Sequence, residues 1–224
     1  MSGTPEAAKD VTVRSAVTTD RSPLAERRRS TLRLEITREA VRLFTTKGVA
    51  ATTAEEIAAA VGISVRTLWR HFPSKESCVL PLLSAGLDFT ARCLRDWPAG
   101  QAVPDLLDVM LQGAGDLAEE WATVLNLVRL TRTEPGLRGV WLQAHDDAEV
   151  IFARGLAHRA GLSSTDLSIT VQAAMLNSAL RAAVEHYAFY SNDRQVSGDT
   201  MLDTLRVALL TAARGLQAEP PGTT

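Results

Sequence analysis

Apolar side chains recur at intervals of three and four residues along most of the chain, which is the spacing of one face of an α-helix. Runs in which Val, Ile and Thr alternate with polar residues between turns, the pattern of a strand, are missing. The pattern therefore predicts an all-α protein. The predicted helices cover residues 32–47, 53–62, 64–72, 74–96, 104–119, 120–132, 134–160, 164–190 and 199–217.

The two ends of the chain lack this periodicity. Residues 1–26 are rich in Thr, Ser, Ala and charge, so we expect a disordered arm, and residues 218–224 are expected to be a flexible tail. Between them, residues 27–75 contain the short helices and are expected to form one small domain. The longer helices of residues 76–217 then form a second, larger helical domain.

The segment from Thr53 to Phe72 predicts two short helices joined by a tight turn at Gly62. Thr53 and Glu56 have the spacing of a capping box, and Ser64 is suited to cap the second helix. This arrangement is a helix-turn-helix, whose second helix enters the major groove of DNA by its N-terminal end. Four apolar residues are expected to hold the two helices together: Ile57, Val61, Ile63 and Leu68.

The polar side chains of this segment suit DNA contacts. Arg66, in the first turn of the second helix, can make a bidentate contact to guanine. Side chains with N–H groups near the far end can donate to phosphate oxygens, and helix N-termini also favour phosphate. The alternatives are that the arginines are merely solvated and that Trp69 is largely core. The candidate contacts are Thr53, Ser64, Val65, Arg66, Thr67, Trp69, Arg70, His71 and Lys75.

Charge is distributed unevenly along the 224 residues, although the net charge is only −2. Residues 21–75 contain eleven basic and five acidic residues, whereas residues 76–224 contain eleven basic and eighteen acidic ones. A positive end on a negative body is the asymmetry expected of a protein that meets phosphate with one end.

The cysteines and the hydropathy bear on location. Cys78 and Cys93 fall in one predicted helix, roughly 22 Å apart along its axis, so they cannot form a disulfide. Free thiols suit a reducing compartment. No stretch approaches ~18 uninterrupted apolar residues, and the N-terminus has no apolar signal segment. We therefore expect a cytoplasmic protein that does not contact a membrane.

The stretch from Phe44 to Glu76 closely resembles the N-terminal domain of TetR-family transcriptional regulators. The shared features are Leu-Phe and then Gly at the end of the first helix, Thr-x-x-x-Ile-Ala-x-x-x-Gly-Ile-Ser, Thr-Leu-aromatic, and Phe-Pro-Ser-Lys-Glu. The resemblance covers roughly residues 30–80. It implies a homodimer that binds a palindromic DNA operator and represses transcription until a small-molecule effector releases it.

The resemblance also assigns roles to single residues. It implies that Thr53, Thr67, His71 and Lys75 contact phosphate, and it places Trp69 where the family usually has Tyr. Arg66 departs from the family pattern, because many members have a small residue at that position. The operator sequence of a relative therefore cannot be transferred to this chain.

For the larger domain, the resemblance implies dimerisation and ligand binding. The last two helices are expected to pair with those of a partner through Met175, Ala179, Ala182, Leu202, Leu205, Leu209, Ala212 and Leu216. The alternative is that these stripes pack only within their own subunit. The candidate ligand contacts are aromatic and polar residues of the central helices: Trp121, Asn126, Arg129, Trp141, His145, Phe152, Asn177 and Arg181.

Two other classes of function remain open. The first is a DNA-binding regulator without a ligand, either constitutive or sensing through Cys78 or Cys93. The second, more distant, is a helical enzyme, but the sequence offers no nucleophile–base pair, no paired carboxylates and no phosphate-binding glycine loop. Because the spacing of His145-Asp146-Asp147 and His158 is not diagnostic of a metal site, neither a metal nor a cofactor is expected.

Overall fold

The structure is a computed structural model, which describes residues 23–98, 100–101, 103–115, 118–190 and 198–214. Within these residues the fold is all-α, as predicted. The helices are α1 (Pro23–Lys47), α2 (Ala54–Val61), α3 (Val65–His71), α4 (Leu80–Asp96), α5 (Val103–Gly115), α6 (Ala118–Leu130), α7 (Pro135–Ala160), α8 (Leu167–Tyr190) and α9 (Gly198–Arg214). The predicted tail and most of the predicted disordered arm lie outside the described residues.

Helix α1 begins at Pro23, nine residues before the predicted start at Leu32. The expectation of a disordered arm through residue 26 is therefore wrong for residues 23–26. Proline suits the first position of a helix, where its missing N–H has no helical partner in any case. The added turns carry Arg27, Arg28 and Arg29 on the exposed N-terminal half of the helix, which apolar periodicity alone does not detect.

Local signals set the bounds of α2 and α3. The Thr53 side chain accepts a hydrogen bond from the Glu56 backbone while the Glu56 side chain accepts one from the Thr53 backbone, so the predicted capping box is confirmed. Gly62 ends α2 in the left-handed conformation, with φ of 73°. The Ser64 side chain caps α3 by accepting from the Thr67 N–H, and Phe72 ends it in extended conformation.

The start of α4 differs from the prediction. The chain after Ser74 first forms a single 3-10 turn, Glu76–Val79, and α4 proper begins only at Leu80. Pro81 explains the tighter turn, because it has no N–H to donate to the Ser77 carbonyl four residues earlier. Ser74 and Ser77 close this turn reciprocally, each hydroxyl accepting from the other's backbone N–H.

The larger domain is built around the packing of α4 against α7. A methyl group added to Gly155 would lie 3.1 Å from Cβ of Leu94, so glycine at this position allows the two helices to approach closely. At the end of α4, the Arg159 guanidinium stacks 3.5 Å from the centre of the Trp97 ring. Helix α8 then packs against α6, α7 and α9.

The apolar residues of α7 do not all face the core. Ile151 is exposed, whereas Leu137, Trp141, Ala144, Ala148 and Phe152 are buried.

The start of α8 corrects the prediction. Helix α8 begins at Leu167 rather than at Ser164, because Asp166 accepts a hydrogen bond from the Ser168 N–H and acts as its cap. Hydrogen bonds from the Ser168 hydroxyl and from its N–H lower the pKa of the Asp166 carboxyl below its ordinary value.

Among the described residues, one helical stretch is long and apolar enough to cross a membrane by length and composition, Glu76–Asp96. It contains α4, which packs against α1, α5, α6 and α7 and buries Leu83, Leu87 and Leu94. This packing and burial are typical of a core helix in a globular fold.

Two glycine-to-alanine substitutions, made separately, test the turn between α2 and α3. A Cβ on Gly62 would meet no atom within 4 Å, so only its left-handed backbone opposes a side chain. We expect Gly62→Ala to lower the free energy of unfolding by about 1 kcal/mol. Gly139→Ala is the control, since Gly139 lies in α7 with equally open surroundings and ordinary helical φ; it should stabilise by about 0.5–1 kcal/mol. Urea denaturation measures both, and equal effects would contradict the account.

Candidate nucleic-acid interface and internal cavity

Helix α3 presents its first turn to solvent. Arg66 and Arg70 are exposed and lie one turn apart on the same side, while Leu68 on the opposite side is fully buried. Trp69 is 44% exposed, so the alternative that its ring is largely core is wrong. An exposed basic turn at the N-terminal end of the second helix is the geometry with which a helix-turn-helix meets base edges.

The small side chains of this turn are partly engaged within the helix. The Ser64 and Thr67 hydroxyls lie 2.9 Å apart and share a hydrogen bond at the cap. Val65 is half-buried and packs against the hydrophobic core of the protein. Thr53 is exposed at the start of α2, where its hydroxyl serves the capping box. Of the predicted contacts, the arginines and Trp69 therefore offer the most accessible surface.

A positive cluster surrounds the C-terminal end of α3. The Arg33 guanidinium donates to the His71 carbonyl at 2.7 Å and stacks 4.4 Å from the centre of the Phe72 ring. Burial, and then the charges of Arg29, Arg33 and Arg70, lower the pKa of His71 below its ordinary value. His71 is thus held neutral at neutral pH, and the positive charge of this end comes from the three arginines.

Lys75 does not have the environment predicted for it. Its ammonium group donates to the Val49 and Thr52 carbonyls, at 2.8 Å each, and lies 3.9 Å from the Glu76 carboxylate. Two of its three N–H donors therefore bind the loop between α1 and α2. These bonds give Lys75 a structural role, which we call the Lys75 clamp, while its phosphate contact stays a prediction.

A second bond strengthens the same junction. The Thr37 hydroxyl of α1 donates to the Cys78 carbonyl at 2.7 Å. The 3-10 turn before α4 is thereby fixed both to α1 and to the loop that precedes α2. A displacement of this turn must displace the helix-turn-helix with it.

The thiols are shielded from redox chemistry. Cys78 is fully buried, and burial raises the pKa of its thiol to about 12. Burial also raises the pKa of Cys93, which is half-buried. Because the thiolate is the reactive form, both groups are poor sensors at neutral pH. The structure gives no support to the thiol-sensing alternative.

An apolar cavity of about 70 Å³ lies in the larger domain. Its walls come from α4 to α9 and are almost entirely hydrocarbon and aromatic. Residues of α4 form one wall, and their aliphatic character gives no sign of a ligand site in the sequence: Leu82, Leu83, Ala85, Gly86, Leu87, Phe89 and Thr90.

The predicted ligand contacts divide into three groups. Trp121, Trp141 and His145 line the cavity. Asn177 lies directly behind His145, with its Oδ1 atom 2.6 Å from His145 Nδ1. The structure places the other four away from the cavity wall, which corrects the prediction: Asn126, Arg129, Phe152 and Arg181.

Physical reasons account for two of these corrections. The Arg129 side chain donates to the Ala188 carbonyl and to Asn126, so it joins α6 to α8 near the surface. Phe152 is completely buried in the core of the domain. Neither position could be separated from a cavity wall by helical periodicity, since core and cavity use the same apolar face.

The expected dimer stripe also needs correction. Leu205, Leu209 and Ala179 are buried within their own chain, and the two leucines line the cavity, so these three have no surface to offer a partner. Leu202 and Ala212 are half-buried, and Leu216 lies outside the described residues. Met175 and Ala182 remain exposed, on a face of α8 that also carries Val171 and Ser178. On α9, Val207 is an exposed apolar residue, at 66%.

Comparisons with known proteins match this architecture. The family model for bacterial regulatory proteins of the tetR family matches residues 36–82. The HTH-type transcriptional regulator TcmR of Streptomyces glaucescens is 30% identical over 203 residues, which cover 88% of this chain and 87% of that protein. This chain belongs to the TetR family.

The family assignment accounts for both halves of the molecule. The TetR-family match spans the C-terminal half of α1, the helix-turn-helix and the start of α4, and a model of the MftR C-terminal domain matches residues 114–217. The chain is therefore a DNA-binding transcriptional regulator with a helix-turn-helix at its N-terminal end, and the family consists of regulators rather than enzymes.

Solved TetR-family structures share the fold. The repressor FadR of Thermus thermophilus, in complex with lauroyl-CoA, is 24% identical, covers 86% of this chain and 99% of its own, and has a TM-score of 0.52. The SmeT–triclosan complex is 22% identical, covers 86% of this chain and 100% of its own, and also has a TM-score of 0.52.

The Lys75 clamp can be distinguished from a phosphate contact. We expect Lys75→Met to lower the free energy of unfolding by about 2 kcal/mol, because the Thr52 and Val49 carbonyls each lose the bond from the ammonium group. It should weaken DNA binding without changing the salt dependence. Arg70→Met, on an exposed side chain, should instead leave stability within about 0.5 kcal/mol. Because each subunit of the dimer loses one phosphate contact, it should reduce the slope of log K against log salt by about 1.8. A reduced slope for Lys75→Met with unchanged stability would favour the phosphate role.

Proposed function

We propose that this TetR-family protein is a homodimeric repressor that holds a palindromic operator and releases it when a small apolar effector enters the cavity. One observation carries the proposal. Helix α4 is attached to the helix-turn-helix by the Lys75 clamp at one end and forms a wall of the cavity with residues 82–90. The site that binds DNA and the site that accepts a ligand therefore share one rigid element.

The basic surface supports the DNA side of the proposal. Arg66 and Arg70 project from α3, and Arg29 and Arg33 add charge at its C-terminal end. We assign base reading to Arg66, because it lies in the first turn of the recognition helix. Arg70, Trp69 and the N–H groups at the start of α2, beside Thr53, are assigned to phosphate. Such contacts act on DNA in the cytoplasm, where we expect the protein to work.

The exposed apolar face of α8 and α9 supports the dimer. Val171, Met175, Ser178 and Ala182 recur every three or four residues along α8, and α9, which packs against α8, has the exposed apolar residue Val207. Small side chains allow two such helices to approach closely. Because helix-turn-helix dimers bind half-sites about 34 Å apart, a twofold mate gives the two recognition helices their spacing.

The size of the cavity supports effector release. Ligand pockets for drug-sized molecules usually measure about 300–1,000 Å³, whereas the cavity here has about 70 Å³. A drug-sized ligand must therefore push the walls of the cavity apart, and α4 forms one of these walls. The lauroyl-CoA of FadR and the triclosan of SmeT are bound by relatives of the same fold. By linkage, operator DNA must weaken effector binding by the factor with which the effector weakens operator binding.

Base reading by Arg66 has a direct test. The ratio of affinities for the DNA upstream of the protein's own gene and for a scrambled duplex should fall about ten- to a hundredfold in Arg66→Ala, since one bidentate base contact contributes about 1–3 kcal/mol of discrimination. Arg154→Ala, an exposed arginine of α7 on the opposite domain, should leave both affinities unchanged. Equal weakening on both duplexes for Arg66→Ala would remove its base-reading role.

A charged substitution tests whether the exposed face of α8 forms the dimer interface. Met175→Glu places a carboxylate at the centre of the proposed interface, and we expect it to shift sedimentation from dimer to monomer at micromolar concentration. Val150→Glu is the matched control, since Val150 is an exposed apolar residue of α7 away from this face. It should remain dimeric. A dimer in both variants would place the interface elsewhere.

A further inference from the structure

The cavity wall contains one imidazole whose hydrogen bonding is incomplete. His145 lines the cavity and is 2% exposed, and its Nε2 atom is buried without a hydrogen-bond partner among the described residues. Other polar groups of the wall are occupied. The Trp141 N–H donates to the Glu185 carboxylate at 2.8 Å, and the Thr90 hydroxyl donates to the Gly86 carbonyl. An unsatisfied buried polar atom costs about 1–3 kcal/mol, so a ligand that satisfies it gains affinity.

The surrounding network determines what Nε2 can do. A carboxylate only accepts hydrogen bonds, and the Glu149 carboxylate lies 3.0 Å from the Asn177 amide nitrogen, so that nitrogen is the donor. The Asn177 oxygen must then face His145, where it lies 2.6 Å from Nδ1. Because an amide oxygen can only accept, Nδ1 carries the proton. In the neutral ring, Nε2 is left with a lone pair and no hydrogen.

The ring of His145 is uncharged, so Nε2 keeps its lone pair. Burial lowers the pKa of His145, so the ring is neutral at neutral pH despite the Asn177 bond, which acts in the opposite direction. A carboxylate or phosphate would meet the Nε2 lone pair and be repelled by it. An ammonium ion would have to leave water for an almost purely apolar cavity at high cost. A neutral O–H group meets neither obstacle.

We propose that the effector is an uncharged, largely apolar molecule with a phenolic or enolic hydroxyl, which donates a hydrogen bond to Nε2 of His145. The inference rests on the proposed function, because it specifies the ligand class of the same cavity. The ring of such a molecule would pack against the aromatic wall, where Trp141 already meets His145 edge to face with ring centres 4.3 Å apart. An acidic hydroxyl is a stronger donor than an aliphatic alcohol, which favours the phenol class.

The test uses 2-naphthol and its methyl ether, 2-methoxynaphthalene, with the full-length protein. Both probes are flat and apolar, but only the naphthol has a proton to donate. We expect calorimetry to give at least tenfold tighter binding of the naphthol, equivalent to about 1.4 kcal/mol. His145→Phe should bring the ratio close to one. His158→Phe, the same change at an exposed histidine of the same helix, should keep it.

A measurement on the unmodified protein covers the case in which His145→Phe fails to fold. Nitrogen NMR of the histidine side chains should find His145 protonated at Nδ1 and not at Nε2, and 2-naphthol should shift the Nε2 signal. A proton on Nε2 in the free protein, equal affinity for the two probes, or no binding of 2-naphthol would each overturn the proposal.

The same protein sample distinguishes a failure of this proposal from a failure of the proposed function. The ligand-free protein is titrated with the DNA upstream of its own gene before any probe is added. If DNA binds specifically and 2-naphthol does not bind, the ligand class is wrong while the repressor role stands. If no DNA binds, the proposed function fails whatever the naphthol does.

Discussion

Two hydrogen bonds from the Lys75 ammonium hold the turn before α4 against the loop that precedes α2. The Thr37–Cys78 bond holds the same turn against α1. The Val49 carbonyl also accepts from the Thr52 N–H, so the clamp binds a hydrogen-bonded turn and fixes where the helix-turn-helix sits relative to α4. The DNA-binding surface can respond to events in the larger domain only because this junction is rigid.

The contacts at the other end of α4 explain why a displacement in the larger domain reaches the junction between α4 and the helix-turn-helix. Gly155 brings α7 so close to Leu94 that the two helices cannot separate without losing their packing. Between this contact and the clamp, residues 82–90 face the cavity. A ligand larger than the cavity must push its walls apart, and our proposal is that α4 then moves as a unit or bends. Since packed helices change between discrete arrangements rather than deforming smoothly, we expect either response to reorient α3.

The sequence predicts features that depend on neighbouring residues and fails where distant ones decide. The Thr53–Glu56 box, the Ser64 cap and the left-handed Gly62 follow from residues within one turn, and the structure has them all. The structural bonds of Lys75 could not be predicted, because its partners, the carbonyls of a loop 23 and 26 residues earlier, are visible only after folding. Likewise, an apolar stripe such as Leu205 and Leu209 does not reveal whether it meets its own chain, a cavity or a second subunit. The N-terminal turns of α1 could not be predicted for a different reason. They are charged and exposed, so they lack the apolar periodicity that indicates a helix.

The central claim is that the cavity and the recognition helices are mechanically connected through α4. The most direct test is the distance between two spin labels at position 60, one in each subunit, introduced as an unnatural amino acid so that the native thiols stay unlabelled. Ala60 is exposed on α2 and is assigned no DNA contact. Pulsed electron paramagnetic resonance should give one narrow distribution on operator DNA, because the half-site repeat of about 34 Å fixes the separation of the two helix-turn-helix units. Without DNA, 2-naphthol should move the distribution by several ångströms away from the one on operator DNA. An identical distribution with and without bound ligand, or no distance between subunits at all, would contradict the account.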